Sequence, residues 1–459
     1  MHAFWLVTLV LSMGIGLLSL RLGMILYLIG ALIFPSLWFG EVALRFEIVY
    51  CLWLVFVLFL RKAISASTFR WHPVLSRYGL FLVAVILSTI FALLSTQGSL
   101  TQLLISFYGI FRPLLVMFLF LNVPVDEKFA RRILWVFVWL SIPIALLSIG
   151  QTLGLSIAQE ITLRGYTSPW RTPVFRLLEE QGVIVRSTGV FESPVFNATY
   201  FLMVLITAGF LLVRGGHKPF HKWVLYLSFG LALVAGITTL SSAFLLGLLF
   251  ALSLFVVFLW PRYQRRFLRI AIGSACVTGL LIVSFLPYLS QQPFFLGTLR
   301  YQFQRILSGS VLETRYNPEA GILANTYQAI AQRPIFGWGL SQLEDVFVGD
   351  SLYISTLYRG GIFGLLLFLW VVWRILRHTW RYSRAVGIYG EVNMLSLLWT
   401  LIGLVVAVGS GGTFLTLRLQ EWYWAVVGLS LNTYLLQTQP ASIGLIGWIG
   451  KSSHGESKR

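Results

Sequence analysis

The chain has 459 residues, of which 58% are hydrophobic, 15% aromatic and only 11% charged, and its mean hydropathy is +0.83. A soluble domain carries about 25% charged residues, so this composition excludes an ordinary soluble enzyme, a disordered chain and a nucleic-acid binder. The net charge of +18 reads instead as the loading of Lys and Arg into the cytoplasmic loops of a membrane protein. Cys51 and Cys276 both lie in apolar runs and offer no disulfide framework, zinc set or redox pair. The segment Met1 to Trp5 lacks the basic stretch of a cleavable signal peptide, so the first apolar run is expected to stay in the mature protein.

An apolar run of about 18 or more residues predicts a transmembrane helix. Such runs fall near 3–20, 22–40, 43–60, 78–96, 103–123, 133–153, 194–213, 223–237, 239–260, 268–289, 351–373, 393–409 and 421–437. The expected fold is all-α, a polytopic membrane protein of 12–13 spanning helices in three groups, 1–153, 194–289 and 351–438. Two longer loops, 154–193 and 290–350, separate the groups, and a tail at 439–459 follows. Within the larger loop, apolar residues at helical spacing from Leu323 to Gln332 predict an amphipathic helix against the membrane, broken by Pro334, Gly337 and Gly339.

Orientation follows from the cations. Segments after alternate spans hold 21 of the 34 cations, including every lysine, in clusters such as Arg61/Lys62/Arg70/Arg77 and Arg374/Arg377/Arg381/Arg384. These segments are expected to face the cytoplasm. The two long loops then face outward. Their eight basic residues are all arginine (Arg164, Arg171, Arg176, Arg186, Arg300, Arg305, Arg315 and Arg333), and they hold nine of the sixteen acids. Arginine grips phosphate or carboxylate in a two-pronged fork, whereas lysine is a point charge. Eight arginines without one lysine therefore point to an anionic ligand at the outer surface; the alternative is that they pair with neighbouring Glu and Asp to fold the loops.

Among the individual candidates, Asp350-Ser351 stands where an apolar helix begins, and its plain role is N-capping. Arg112 falls inside an apolar run, where a charge marks a functional site unless it snorkels outward. Gly360, Gly361 and Gly364 are expected to permit close helix packing. Outer-loop aromatics such as Tyr316 suit sugar stacking or interfacial anchoring.

The run Asp350-Ser351, nine residues, then Gly361-Ile362-Phe363-Gly364 resembles a motif of the bacterial O-antigen polymerase and O-antigen ligase superfamily, with Asp350 where the ligase form has histidine. The preceding Arg333-Pro-Ile-Phe-Gly-Trp-Gly-Leu340 resembles that family's Asn-Pro-x-x-Gly-x-Gly turn. Arg186-Ser-Thr-Gly-Val-Phe191 resembles its Arg-x-x-Gly-x-Phe segment, and Thr239-Leu-Ser-Ser-Ala243 its Ser-Arg-Gly-Ala segment with Ser242 in place of the arginine. Arg315 sits where the family often has an arginine ahead of a loop helix. The resemblance covers residues 180–375.

It implies a metal-independent, inverting glycosyltransferase of the GT-C class without a cofactor, embedded in the bacterial cytoplasmic membrane with its active site outside. The substrate implied is a glycan on a polyprenyl diphosphate, as donor and as acceptor. Arg186 and Arg315 would stabilise the leaving diphosphate, and Asp350 would act as general base or orient the acceptor hydroxyl. Arg300, Arg305, Arg333, Arg112 and Tyr316 complete the expected substrate-binding set, and a chain-length regulator is a further expected partner. The absence of histidine from the outer loops favours a polysaccharide polymerase over a ligase that hands finished chains to lipid A-core. A transporter for lipid-linked sugars is the reading from another class; it would place polar residues at the bilayer midplane with repeat symmetry, unlike this chain.

Overall fold

The computed structural model describes residues 2–39, 42–94, 100–167, 186–258, 264, 272–274, 276–277, 279–280, 283–284, 295–310, 316–317, 323–341, 343, 346, 351–409, 412–415, 418–433 and 435. They form α1 (His2–Leu18), α2 (Leu20–Ile33), β1 (Leu37–Phe39), β2 (Val42–Leu44), α3 (Phe46–Ile64), α4 (Pro73–Leu93), α5 (Leu100–Asn122), α6 (Glu127–Thr152) and α7 (Ser156–Gly165). There follow α8 (Pro194–Arg214), α9 (Pro219–Thr238), α10 (Ser242–Phe258), α11 (Phe295–Leu307), α12 (Ala324–Gln332), α13 (Leu352–Tyr382), α14 (Gly387–Val406), α15 (Gly412–Leu415) and α16 (Leu419–Ser430). Among the described residues the regular structure is helical apart from one hairpin. Among the described residues six helices are long and apolar enough to cross a membrane: α4, α6, α8, α9, α13 and α14. Four shorter apolar helices, within α1, α2, α5 and α10, accompany them. The protein is a polytopic membrane protein.

Starts of helices follow local chemistry. Pro73, Pro194 and Pro219 open α4, α8 and α9, where a missing N–H costs nothing. Asp126 caps α6 by accepting from the Phe129 amide at 2.8 Å, and that bond holds its carboxyl below the usual carboxylate range. The run expected to span 22–40 ends earlier, at Ile33, because Pro35 cannot continue the helix. The extended residues that follow pair antiparallel, Leu37 with Leu44 and Phe39 with Val42. The span expected from 268 to 289 and the tail at 439–459 lie largely or wholly outside the described residues.

The apolar windows of helices α8 and α14 are more than four-fifths buried, as befits the centre of a bundle. Phe137 of α6 packs its ring against Trp399 of α14 (5.0 Å) and Trp422 of α16 (4.8 Å), tying three helices together. By contrast α13 buries under half of its apolar window and turns Ile362, Phe363, Leu366, Trp370 and Trp373 outward.

Connections alternate between two ends of the bundle. At one end Arg61 donates to the Leu17 and Leu18 carbonyls, Arg21 reaches Pro124 and Asp126, and Arg70 donates to Thr433. Every described lysine is at this basic end. At the other end, Trp5 donates to the Pro35 carbonyl, Arg45 pairs with Glu192, and the hairpin, α7, α12, the 186–193 segment and the described residues 407–409, 412–415 and 418 are found.

Candidate functional site

The residues around Gly361 build the most distinctive feature of the hairpin end. Gly361 has φ 61° and ψ −165°, which breaks the helical path inside α13. A break at that point strands two carbonyls, Tyr358 and Arg359, and the two amides that would have bonded to them, Ile362 and Phe363. The 333–340 turn supplies all four partners. Trp338 N–H donates to Tyr358 (2.7 Å) and Gly339 N–H to Arg359 (2.8 Å), while Ile362 and Phe363 donate to Pro334 (2.8 Å) and Ile335 (3.3 Å). The turn is therefore spliced into the helix.

Three glycines are required by that splice. A Cβ on Gly361 would stand 2.1 Å from the Ile335 oxygen, one on Gly337 2.4 Å from the Tyr358 oxygen, and one on Gly339 2.3 Å from the Thr89 backbone; all three have positive φ. The packing role expected for the other glycines is not what the structure shows: Gly364 has nothing within 4 Å of a Cβ, and Gly360 only Val85 at 3.8 Å. Trp338 anchors the turn, buried against Ala92, Ala329, Ile330 and Tyr358 with its indole N–H on the Ala329 carbonyl at 2.7 Å. The expected helix at 323–332 is present as α12, and through Ala329 and Ile330 it carries this small core.

At the head of α13, Ser351 is the N-cap residue but its hydroxyl makes no capping bond; it donates to the Ala407 carbonyl at 3.3 Å, which also accepts from Leu352 N–H. Tyr353 donates to Leu404 and Tyr316 to Val408, so the end of α14 gathers the start of α13 and the larger loop. Asp350 and Arg315 lie outside the described residues.

A second pair of motif segments also meets. Arg186 is half-buried and its Nε donates to the Thr239 carbonyl at 3.0 Å, while the Ser187 and Thr238 hydroxyls sit 3.1 Å apart. Gln151 accepts from the Thr188 and Gly189 amides (2.9 and 3.1 Å), and Asn197 donates to the Ser187 carbonyl and the Ser148 hydroxyl (3.2 and 3.0 Å). Gly189 has φ 55°, and a Cβ there would also meet Ser148 Oγ at 2.6 Å, so the position requires glycine twice over. Glu192 then bonds Arg45 at 2.6 Å, fastening the segment to the hairpin.

The remaining sequence candidates are spread out. Arg300 is exposed, Arg305 lies over the Tyr301 ring (5.5 Å), and Arg333 over the Trp338 ring (4.3 Å). Arg112 does not snorkel. It is fully buried, with Nε 2.7 Å from Glu421 and Nη1 3.9 Å from Glu47. Its guanidinium is thus engaged by protein carboxylates.

Sequence reasoning passed over Arg45, Arg359, Arg418, Glu47 and Glu421. Arg359 is half-buried one residue before the glycine pair, beside Tyr358 and Tyr78, and among the described residues its guanidinium has no hydrogen-bond or ion-pair partner. The signal was available, since a lone arginine in an apolar run is the feature that singled out Arg112. Arg418, at φ 73°, donates to the Leu32 and Phe34 carbonyls and Ser36, closing the open C-terminal end of α2. Among the described residues no three His, Cys, Asp or Glu side chains converge as a metal site. No family model matches the chain, and no curated protein matches it.

Proposed function

We propose that the chain is a polysaccharide polymerase: an inverting, metal-independent glycosyltransferase of the GT-C kind that transfers a polyprenyl-diphosphate-linked glycan onto a lipid-linked repeat unit. One observation carries the reading. Segments chosen for their resemblance to O-antigen polymerases and ligases touch in two pairs, 333–340 with 361–364 through Ile362 and Phe363, and 186–191 with 239–243 through Arg186 and Thr239. Unrelated short matches have no reason to pair in space.

In this reading the hairpin end faces outward and the lysine-bearing end faces the cytoplasm, with the chain in the bacterial inner membrane. The diphosphate needs cations to offset its charge. Arg112, held by Glu421, is left out of the ligand set, and Arg359, which has no protein partner among the described residues, takes its place beside Arg186 and Arg315. Forked N–H donors stabilise charge as it develops on the departing diphosphate. Asp350 accepts the proton of the attacking hydroxyl.

The test is polymer formation by the purified full-length protein from a synthetic lipid-linked repeat unit, with a chelator present. Asp350→Asn and Arg359→Gln are expected to abolish chain extension while leaving the protein folded. Wild-type polymer from both variants would refute the assignment. Should deletion of the gene leave long lipid-linked polymer accumulating untransferred, the activity is that of a ligase instead.

A further inference from the structure

We propose that the seam between α4 and α13, at the lysine-bearing end of the bundle, binds an anionic phospholipid whose phosphate is held between Arg77 and Arg374. The two helices lie side by side: Phe81 packs its ring against Phe368 (5.4 Å), and further along Val85 lies by Gly360. One turn before Phe81, Arg77 crosses the seam and lays its guanidinium over the Trp370 ring of α13 at 4.7 Å. Its Nη1 donates to the Pro73 carbonyl at 2.8 Å, while its Nε is buried and has no acceptor among the described residues. Arg374 stands one turn from Trp370 on α13, near enough to Arg77 and His72 to act on both by charge. Half-buried, it has no hydrogen-bond or ion-pair partner among the described residues.

Two like charges so close repel, and no described acid offsets them. Each described acid at this end already has an arginine: Asp126 has Arg21 (3.2 Å), Glu127 has Arg131 (2.5 Å) and Glu391 has Arg214. His72 and His378, in edge contact at 5.1 Å, join the cluster without adding negative charge. A phosphate can accept from two guanidiniums at once and offset both.

The surroundings make that phosphate part of a lipid. Leu80 and Val83 lie on the outward face of α4 just after Arg77, and Leu366 and Trp370 on that of α13 just before Arg374. Both helices are long and apolar enough to cross the membrane, so these faces meet acyl chains. Trp370 and Trp373, both exposed, mark the level of the arginines as the membrane interface. A free anion has no use for apolar walls below its site, whereas a phospholipid lays its chains along them. Basic pockets between spanning helices hold anionic headgroups in this way. Such binding is independent of the reaction proposed for the opposite end.

Native mass spectrometry of the full-length protein in detergent, titrated with phosphatidylglycerol or with phosphatidylcholine of the same acyl chains, tests this. Wild type is expected to retain one phosphatidylglycerol in preference to phosphatidylcholine. Arg77→Gln/Arg374→Gln is expected to bind it roughly 30-fold more weakly. Arg132→Gln/Arg384→Gln removes the same charge from exposed positions at the same end and is expected to bind as wild type does. In phosphatidylcholine alone, Arg77→Gln/Arg374→Gln is expected to melt no lower than wild type, because a repulsion has been removed. Unchanged binding in that variant overturns the proposal, as does equal weakening in the two double variants, which would make the attraction a diffuse one. Stabilisation by inorganic phosphate equal to that by phosphatidylglycerol overturns it too, since the ligand is then a free anion. So does failure of Arg77→Gln/Arg374→Gln to fold, since the arginines are then structural.

Discussion

Replacing Gly361 with alanine addresses the splice between α13 and the 333–340 turn directly. The backbone at φ 61° is one that L side chains adopt at a cost of about 1–3 kcal/mol. The new Cβ would also stand 2.1 Å from the Ile335 oxygen and 2.6 Å from the Phe336 nitrogen, and both are backbone atoms that cannot rotate aside. The turn must withdraw, and the bonds to Pro334, Ile335, Tyr358 and Arg359 lengthen together. At about 0.5–1.5 kcal/mol each, losing two to four of them brings the expected destabilisation to about 2–9 kcal/mol. Gly364→Ala is the control within the same motif. Nothing lies within 4 Å of its Cβ, and alanine is the better helix former by about 1 kcal/mol, so that variant is expected to melt at or above wild type. The assay is calorimetric melting in detergent, paired with hydrogen exchange at the Trp338, Gly339, Ile362 and Phe363 amides. If Gly361→Ala melts with Gly364→Ala and those four amides stay protected, the turn is not spliced into the helix as argued.

Two further perturbations probe charge. Burial, with His378, Arg374 and Arg77 nearby, pushes the His72 imidazole from 6.5 down to about 4. The native ring then stays neutral while the unfolded one takes up a proton, so stability present above pH 6.5 is lost as pH falls toward 4. His72→Asn, which keeps the cap that now accepts from Val74 N–H, is expected to flatten melting temperature against pH in that window; an unchanged slope would mean that His72 does not set it. Arg112→Met is expected to cost about 3–5 kcal/mol by leaving Glu421 buried and unpaired, and Arg112→Met/Glu421→Leu to recover most of it. Equal melting of the single and double variants would show that the pair carries little of the packing between α5 and α16.

The helices were legible because their signal is length and apolarity, which survive without tertiary information. Where the sequence reading slipped, at 34–45, the residues are as apolar as those in the helices; only Pro35 and the backbone pairing of Leu37 with Leu44 separate hairpin from helix. The turn at 333–340 was readable from Pro334, Gly337 and Gly339. Its attachment to α13 was not, because the attachment is made of backbone groups that carry no residue signature. Glu47 and Glu421 were missed for a related reason. Each sits at the margin of an apolar run, where a single acid reads as a solvated helix start, and only the fold brings Arg112 opposite both.

Gly361 shows how one spacing can serve two meanings. Two glycines three apart in an apolar helix suggest a close helix partner, yet here one of them opens the helix so that a loop can enter its hydrogen-bond ladder. The consequence reaches the candidate site. The nine residues of α13 before the break are held at one end by the turn and at the other by Ala407, which takes Leu352 N–H and the Ser351 hydroxyl. Arg359 lies within that doubly fixed segment, and Asp350 immediately precedes it. A change at Gly337, Gly339 or Gly361 therefore acts on the direction in which Arg359 is presented. The 333–340 turn and the 351–361 segment work as one part: the turn sets the aim, and the helix carries Arg359.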